Sequence, residues 1–355
     1  MNDILRLMED LTNAFGPSGF EDDVIEIIKN NSHFIDNEID SINNLYLGLQ
    51  KIDSTKPIVA LDCHIDEIGF MIKHINTNGT LSFIPIGGWY IPNIVSNSVI
   101  IKSSSGEFVK GVIGTKPPHF ITEEDRKKLP TLQDMYIDIG TRTKEETENI
   151  FGICIGDPVV PDTNFRYDDR TKSICAKAID NRVGALCVIK TLEELQNEKL
   201  DVNLVGIMSS QEEVGARGAY VASNRVKPDL VIVFEGSPAD DTFNYGDMIY
   251  GAIGKGVQLR IIDSGMITNP KLNKYTINLA KNNNIAYQIT VRENGSTNGA
   301  IYHKSNLGIP SIVLGISTRY AHSHYCYASY DDIISSIKIA KILIKTLNKR
   351  NIKEF

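Results

Sequence analysis

The sequence predicts an α/β protein: a largely parallel sheet flanked by helices, with an all-β segment inserted into it. Three observations carry this expectation. The runs "PIVALDCHID", "VNLVGIMSSQEE", "DLVIVFEG" and "PSIVLGISTRYAHS" stay apolar for several residues and then turn abruptly polar, as strands buried on both faces do. Segments with helical periodicity lie between them. From about Phe70 to Asp162 both signals give way to short strands and hairpin turns.

At the start of the chain Ile4, Leu7, Met8, Leu11 and Phe15 follow helical spacing, and Gly16-Pro17 stops that helix. Ser18 and Glu21 form the pattern of a capping box for a second helix carrying Val24, Ile25, Ile27 and Ile28. In the inserted segment, "GFMIKHI" and "TLSFIPI" flank Thr77-Asn78-Gly79, and "SVIIK" and "EFVKGVIG" flank Ser103 to Gly106, both hairpin patterns. The polar stretch from His119 to Asp134 predicts a mobile loop. The domain boundaries follow: residues 1–69 and 163–355 form the α/β unit, and 70–162, about 90 residues, form the insertion.

Beyond the insertion, a helix from Val183 to Leu195 carries Leu186, Ile189, Leu192 and Leu195 on one side. Another, Asn269 to Asn283, carries Leu272, Thr276 and Leu279, and a third after Asp331 carries Ile334, Ile337, Leu343 and Leu347. The glycine-rich "GAIGKG" lacks the spacing and the trailing Ser or Thr of a phosphate-binding loop, so it reads as a turn into the strand "VQLRIID".

Composition bounds the function. With 355 residues, 42% hydrophobic and 23% charged, the chain has ample core for roughly two globular domains. Its 44 acidic against 37 basic residues leave a net charge of -7, which argues against nucleic acid as a partner. The opening "MNDILRLMEDLTNAFGPSGFE" has no secretory pattern, and no apolar run approaches the roughly 18 residues that span a bilayer. Five scattered cysteines without Cys-x-x-Cys spacing fit free thiols in a reducing cytoplasm. The expectation is a cytoplasmic protein with no membrane partner.

In open α/β sheets, functional groups gather beyond the carboxyl ends of the strands. Those ends here present His64 and Asp66, Glu212 and Glu213, Glu235, and His322. His64 and Asp66 are two apart, so an extended backbone turns both to one face. This suits either a metal ligand steadied by a carboxylate or a histidine satisfied by its neighbour. Asp180 precedes the helix from Val183, as an N-cap or as a carboxylate bridging two cations. The Glu212-Glu213 pair is either a solvated acidic turn or a ligand beside a base. Glu235 ends an apolar run, where an unpaired carboxylate is costly and a cation removes the cost. His322, beside Arg319, Tyr320 and His324, fits a ligand, a general acid or a surface histidine. Histidines and carboxylates without cysteine suit zinc, cobalt or manganese better than an iron-sulfur cluster.

The segments "HIDEIG", "IGGW", "GVIGTKPPH", "YIDIG", "IGDPVV", "AKAIDNRVG", "QEEVGARGA" and "RYAHS" stand in this order from "FGPSGFE" to Asp331. In them the chain resembles the M42 family of dinuclear metalloaminopeptidases, which includes glutamyl and tetrahedral aminopeptidases. The resemblance implies a zinc-peptidase-like sheet and a PDZ- or barrel-like insertion that helps assemble dimers and hollow dodecamers. It implies two divalent metal ions per subunit, zinc, cobalt or manganese, held by His64, Asp180, Glu213, Glu235 and His322, with Asp180 bridging. Glu212 would be the general base, Asp66 would orient His64, and peptides with a free N-terminus would be the substrates.

Three departures bear on the site. Position 235 is aspartate in many relatives. "NGSTNGA" stands where the family often has Gly-Gly-Thr-Asp-Ala, with Asn298 replacing the acid, and Ser323-His324-Tyr325-Cys326 replaces a Ser-Pro-Val-Glu run. Arg292 and Lys255 are candidates for a basic substrate pocket. Rival readings are an M20-type amide hydrolase (deacylase or carboxypeptidase), in which the extra domain follows the Glu-Glu strand, and a scaffold whose acids and histidines are structural. A glycosidase would use two carboxylates but leaves the histidines idle.

Overall fold

The computed structural model describes residues 2–355. Helix α1 (Asp3–Asn13) buries Leu5, Leu7, Met8 and Leu11, and the Asn2 side chain accepts from the Leu5 N–H to cap it. Helix α2 (Asp22–Asn30) buries Val24, Ile25 and Ile28 but has no side-chain cap. The predicted capping box does not form, because both of its residues are engaged elsewhere. Ser18 donates its hydroxyl to Asp66 at 2.6 Å, and Glu21 accepts from the N–H groups of Gly19 and Gln211.

Short strands β1 (Asn37–Ile39) and β2 (Leu45–Leu47) lead to β3 (Ile58–His64). The chain then leaves the sheet and builds a closed barrel from β4 (Gly69–Ile75), β5 (Leu81–Ile86), β6 (Ser98–Lys102), β7 (Phe108–Gly114), β8 (Tyr136–Asp138) and β9 (Pro158–Pro161). Closure leaves no unpaired edge. Phe70, Ile72, Leu81, Val99, Ile101, Ile113 and Ile137 fill its interior. Both predicted hairpins pair as expected, β4 with β5 and β6 with β7. At the first turn Gly79 has φ +85°, and a Cβ there would lie 2.6 Å from Thr141 Oγ1; glycine alone fits. Helix α3 (Lys144–Phe151) is capped by Thr143 and ends on left-handed Gly152. The stretch expected as a loop folds into short 3-10 turns at 118–120, 125–127 and 132–134 on the surface.

The remaining strands and α-helices are β10 (Arg166–Asp168), β11 (Ser173–Ala176), α4 (Ile179–Leu195), β12 (Asn203–Ser209), α5 (Arg217–Val226), β13 (Leu230–Pro238), β14 (Val257–Ile262), α6 (Pro270–Asn282), β15 (Tyr287–Val291), α7 (Gly299–Tyr302), β16 (Ser311–Thr318), β17 (Cys326–Ser329), α8 (Tyr330–Thr346) and α9 (Lys349–Ile352). The main sheet has the order β1-β2-β12-β3-β13-β16-β14-β15. Its centre, β12 through β16, is parallel, whereas β2 and β14 join it antiparallel. Alternating side chains feed two cores. Leu230, Ile232 and Phe234 face the cluster built with α1, α4 and α8; Val231 and Val233 face Ala219, Ala222 and Tyr302 of α5 and α7. Each fully buried Leu, Ile or Phe contributes about 1.5–3 kcal/mol.

The "GAIGKG" turn leads directly into β14, as expected. Its Gly254 and Gly256 N–H groups donate to the buried Asp332 carboxylate in the first turn of α8, at 2.7 and 2.6 Å. Among the described residues, no helix is long and apolar enough to cross a membrane.

Candidate metal centre and active site

The parallel strands aim their carboxyl ends at one cleft. β3 ends on His64, β12 runs on through Ser210 to Glu213, β13 carries Glu235, and His322 follows β16. Asp180 arrives from the opposite direction, in the first turn of α4, where it and Asn181 leave helical geometry. The helix-capping role that the sequence suggests for Asp180 falls to its neighbour: Asn181 Oδ1 accepts from Gly184 N at 3.0 Å and Gly236 N at 3.1 Å. Asn181 also donates to Phe234 O at 2.8 Å, tying α4 to β13. Asp180 is thereby freed to face the cleft. A Cβ at Gly236 would lie 2.7 Å from the Asp180 Cα, so the residue after Glu235 must be glycine.

The side chains nominated as ligands, base and orienting acid converge. His64 Nε2 lies 3.2 Å from Asp180 Oδ1, 3.4 Å from Glu235 Oε1 and 4.0 Å from Glu212 Oε2. His322 Nε2 lies 3.2 Å from Glu213 Oε2 and 3.7 Å from Asp180 Oδ2. Asp180 therefore stands between the two imidazoles. His64, Asp180 and Glu213 each offer a ligand atom within 4.8 Å of the others. One Glu235 oxygen, Oε2, is buried without a hydrogen-bond partner, which is unfavourable unless a cation or donor meets it.

Asp66 organises the acidic turn from beneath. It lies 3.4 Å from His64 Nδ1 and accepts from the Glu212 N–H at 2.9 Å, the Glu213 N–H at 3.2 Å and the Ser18 hydroxyl at 2.6 Å. Burial alone would raise its pKa, but His64, Ser18 and the Glu212 amide hold it below the usual carboxylate value. His322 is held from the barrel side: its Nδ1 donates to Gly88 O at 2.8 Å. Ala178, Gln211 and His322, all non-glycine, have φ of +52°, +52° and +60°. Left-handed backbone of this kind costs about 1–3 kcal/mol per residue and clusters at functional sites.

The electrostatics call for positive charge. Burial, together with neighbouring Glu235, Glu213 and Asp66, pushes the Glu212 carboxyl well above its ordinary value, against the pull of His64. Burial raises Glu213 as well, and takes Glu235 up to about 7. Burial opposes charge on His322, yet Glu213 and Asp180 lift it to about 10; Asp180, Asp66 and Glu235 likewise outweigh burial at His64 and raise it. Asp180 is buried but sits below the usual range, because His64 and His322 flank it. A divalent cation among these groups would displace the protons they retain.

The cleft has a volume of about 170 Å³. Opposite the acids, its wall is formed by Pro238, Arg260, Arg292, Asn294, Gly295 and Ser296. Arg260 pairs with Asp263 at 2.9 Å and donates to Ser237 Oγ at 2.7 Å. Arg292 donates to Pro238 O at 2.5 Å and Gln258 Oε1 at 2.7 Å. Burial, and then Arg260 nearby, lowers Arg292 to about 10. The Nε atoms of both arginines are buried without partners. Of the two basic candidates, Arg292 reaches the cleft; Lys255 is exposed in the turn before β14.

The sequence profile of the M42 glutamyl aminopeptidase family matches residues 43–339. The chain belongs to the M42 peptidase family. As an M42 enzyme it is a hydrolase acting on peptide bonds. The glutamyl aminopeptidase of Lactococcus lactis subsp. cremoris is 31% identical to this M42 chain, covering 97% of it and 96% of the relative. Among solved structures, a TET aminopeptidase from a marine-sediment Thaumarchaeota archaeon superposes with a TM-score of 0.94 at 32% identity, covering 99% of both chains. The Pyrococcus horikoshii TET1 peptidase, which assembles into a tetrahedron or a large octahedral shell, gives 0.86 at 26% identity over 97% of this chain and 100% of its own.

Sequence reasoning missed several residues that support this M42 site. Ser18 and Glu21 were masked by their fit to a helix cap, and Gly88 acts through its carbonyl, which every residue carries. Arg260 did leave a signal, being an arginine inside the apolar run "VQLRIID". Asn298 lies beneath the cleft surface, fully buried on Asp62 and Ser209. His324 turns away from the cleft and packs on Trp89, with ring centroids 5.4 Å apart.

Proposed function

We propose that this chain is a metal-dependent aminopeptidase that holds two divalent cations, zinc, cobalt or manganese, on His64, Asp180, Glu213, Glu235 and His322, and removes N-terminal residues from peptides. The observation that carries the reading is the placement of Asp180 between two imidazoles, each with a further carboxylate beside it. The donor set fits such ions: it is nitrogen and oxygen only, has an excess of buried negative charge, and leaves Glu235 Oε2 unpartnered. When bound, the cations supply Lewis acidity at the scissile carbonyl and lower the pKa of the attacking water.

The chain's own groups do the rest. Glu212, its backbone fixed on Asp66, takes a proton from the water as the carbon–oxygen bond forms, and delivers it to the amine nitrogen as the carbon–nitrogen bond breaks. Asp66 holds His64 through the Nδ1 side, leaving Nε2 for the metal. Glu235 sits where the free α-amino group of the substrate would be met. Arg260 and Arg292 put two guanidiniums in the facing wall; Arg260 is paired with Asp263, whereas Arg292 is hydrogen-bonded only to the Pro238 and Gln258 oxygens, with Asp240 and Asp263 as the acids that act on it. We therefore assign a preference for acidic N-terminal residues, in keeping with the name of the Lactococcus relative.

Self-association into dimers and dodecamers belongs to the same reading, with the barrel segment 70–162 as the assembly module. A cytoplasmic location does as well, since Cys63, Cys154, Cys175, Cys187 and Cys326 are all free thiols. Family membership removes the M20-type alternative. The test is a panel of aminoacyl chromogenic substrates with free and acetylated N-termini, assayed after chelation and after restoring each metal. Activity should require metal, favour the glutamyl and aspartyl substrates, and vanish on acetylation. Undiminished activity after complete metal removal, or a preference for the blocked substrates, overturns the proposal.

A further inference from the structure

Beneath the cleft lies a buried hydrogen-bonded unit that the mechanism does not use. Asp62, Asn298 and Tyr302 are all fully buried. Asn298 Nδ2 donates to Asp62 Oδ1 at 2.7 Å, and the Tyr302 hydroxyl donates to Asp62 Oδ2 at 2.7 Å. Asn298 Nδ2 also lies 2.6 Å from Ser209 Oγ, which in turn donates to Cys63 O at 3.0 Å. A buried carboxylate in mid-strand is costly unless its partners are strong, and here both oxygens are met by donors from one segment, residues 298–302.

The connections give this unit a direction. Asp62 is two residues before His64 on β3, on the same face of the strand, and Ser209 stands opposite His64 in the parallel register. Asn298 comes two residues after Ser296, the last of the wall residues Asn294, Gly295 and Ser296. The wall residues belong to a connection after β15 that joins no strand of the sheet until β16. Its position is held from two sides: the N–H and hydroxyl of Ser264 donate to Gly295 O, and Asn298 with the short helix α7 anchors the chain behind it.

We propose that Asp62 is a positioning residue for substrate recognition: through Asn298 and Tyr302 it fixes the 294–296 wall relative to His64 at the end of its own strand. The inference rests on the reading of the cleft as a peptidase site, and it goes beyond that reading by giving a buried core acid control over specificity. Misplacing a recognition surface by about 1 Å costs roughly a hundredfold in rate, so a loosened wall erodes discrimination between substrates before it abolishes turnover.

The test is the profile of kcat/KM across N-terminal residues, expressed as ratios between substrates, because ratios do not change with the fraction of enzyme that is correctly folded. Asp62→Asn puts an amide where two donors need acceptors, and should flatten the ratio between the best and poorest substrates by about tenfold or more. The double variant Asp62→Asn with Asn298→Asp exchanges the groups: the new amide on β3 donates to the new carboxylate and accepts from Tyr302, and the Ser209 hydroxyl turns from Cys63 O to donate to that carboxylate. Its profile should return toward the wild type. An unchanged profile in Asp62→Asn, or a double variant as flat as the single, overturns the proposal. If Asp62→Asn does not fold, Asn298→Ala, which removes the donor to Asp62 and Ser209 but keeps Tyr302 on Asp62, must flatten the profile in the same way, or the idea is wrong. A wild-type enzyme that cleaves no peptide in the presence of metal removes the peptidase reading and this inference with it. A wild type that cleaves but prefers a non-acidic residue removes only the acidic preference, and the ratio test still decides.

Discussion

Two adjacent glutamates look redundant in a sequence, and the structure separates them by what each touches. Glu213 is 3.2 Å from His322, whereas Glu212 lies near His64 at 4.0 Å; both N–H groups rest on Asp66. Glu212→Gln keeps the shape and the backbone anchor but removes the proton acceptor. Turnover should fall by about 10²- to 10⁴-fold while the metal content of the purified protein is unchanged. Wild-type turnover in that variant would exclude Glu212 as the base. The residues that nominate the site were legible because each is costly where it stands: a glutamate ending an apolar run and a histidine at a strand end both ask for a partner. Ser18 and Glu21 were not legible, since a Ser-x-x-Glu pattern before a helix has a local use that the sequence cannot weigh against one 48 residues away. Only the folded chain shows Ser18 spent on Asp66.

Among the elements, the strands were read well because polar residues bound their apolar runs: pairing ends at His64 in β3 and Ser209 in β12, although β13 pairs on past Glu235 to Pro238. The helix starts were read less well, as at α4, where Asn181 rather than Asp180 satisfies the first turn. The turn before β14 shows what a distant element adds. Its glycine amides are held by Asp332 of α8, whose carboxyl burial pushes up to about 7. The native protein then binds this proton more tightly than the unfolded chain, where an aspartate titrates near 3.9. The group's contribution to stability is present in full below about 4 and is lost as the pH rises through about 7. Asp332→Asn removes that dependence. Urea unfolding of wild type and variant at pH 5 and pH 8 should show the difference between them shift in the variant's favour at the higher pH, by on the order of 2 kcal/mol. A difference that does not change with pH would show that Asp332 titrates normally.

For the molecule as a whole, the sheet and its insertion meet at the site, since Gly88, in the barrel segment, orients His322. Through that contact the insertion between His64 and Asp180 steadies one side chain of the cleft, while the lining residues themselves come from the rest of the chain. The side chains that converge at the candidate centre are spread over β3, α4, the turn after β12, β13 and the turn after β16 of one polypeptide. The barrel segment, by contrast, leaves large apolar groups in solvent, including Phe120 at 74% and Leu129 at 68% of full exposure. Where such groups lie together they favour association, and a net charge of -7 spread over 355 residues opposes it little. The wild type should therefore sediment well above the 39.4 kDa of a single chain. Substituting Phe120 and Leu129 together by aspartate places charge at the proposed contact, where burying it unpaired would be unfavourable. Sedimentation should then report smaller species, while hydrolysis of a small chromogenic substrate continues at close to the wild-type rate per chain. A wild type that is monomeric at all concentrations would rule out the assembly role, and an assembled variant with unchanged mass would move the contact away from this face. Loss of small-substrate activity on dissociation would mean that a neighbouring copy completes the cleft.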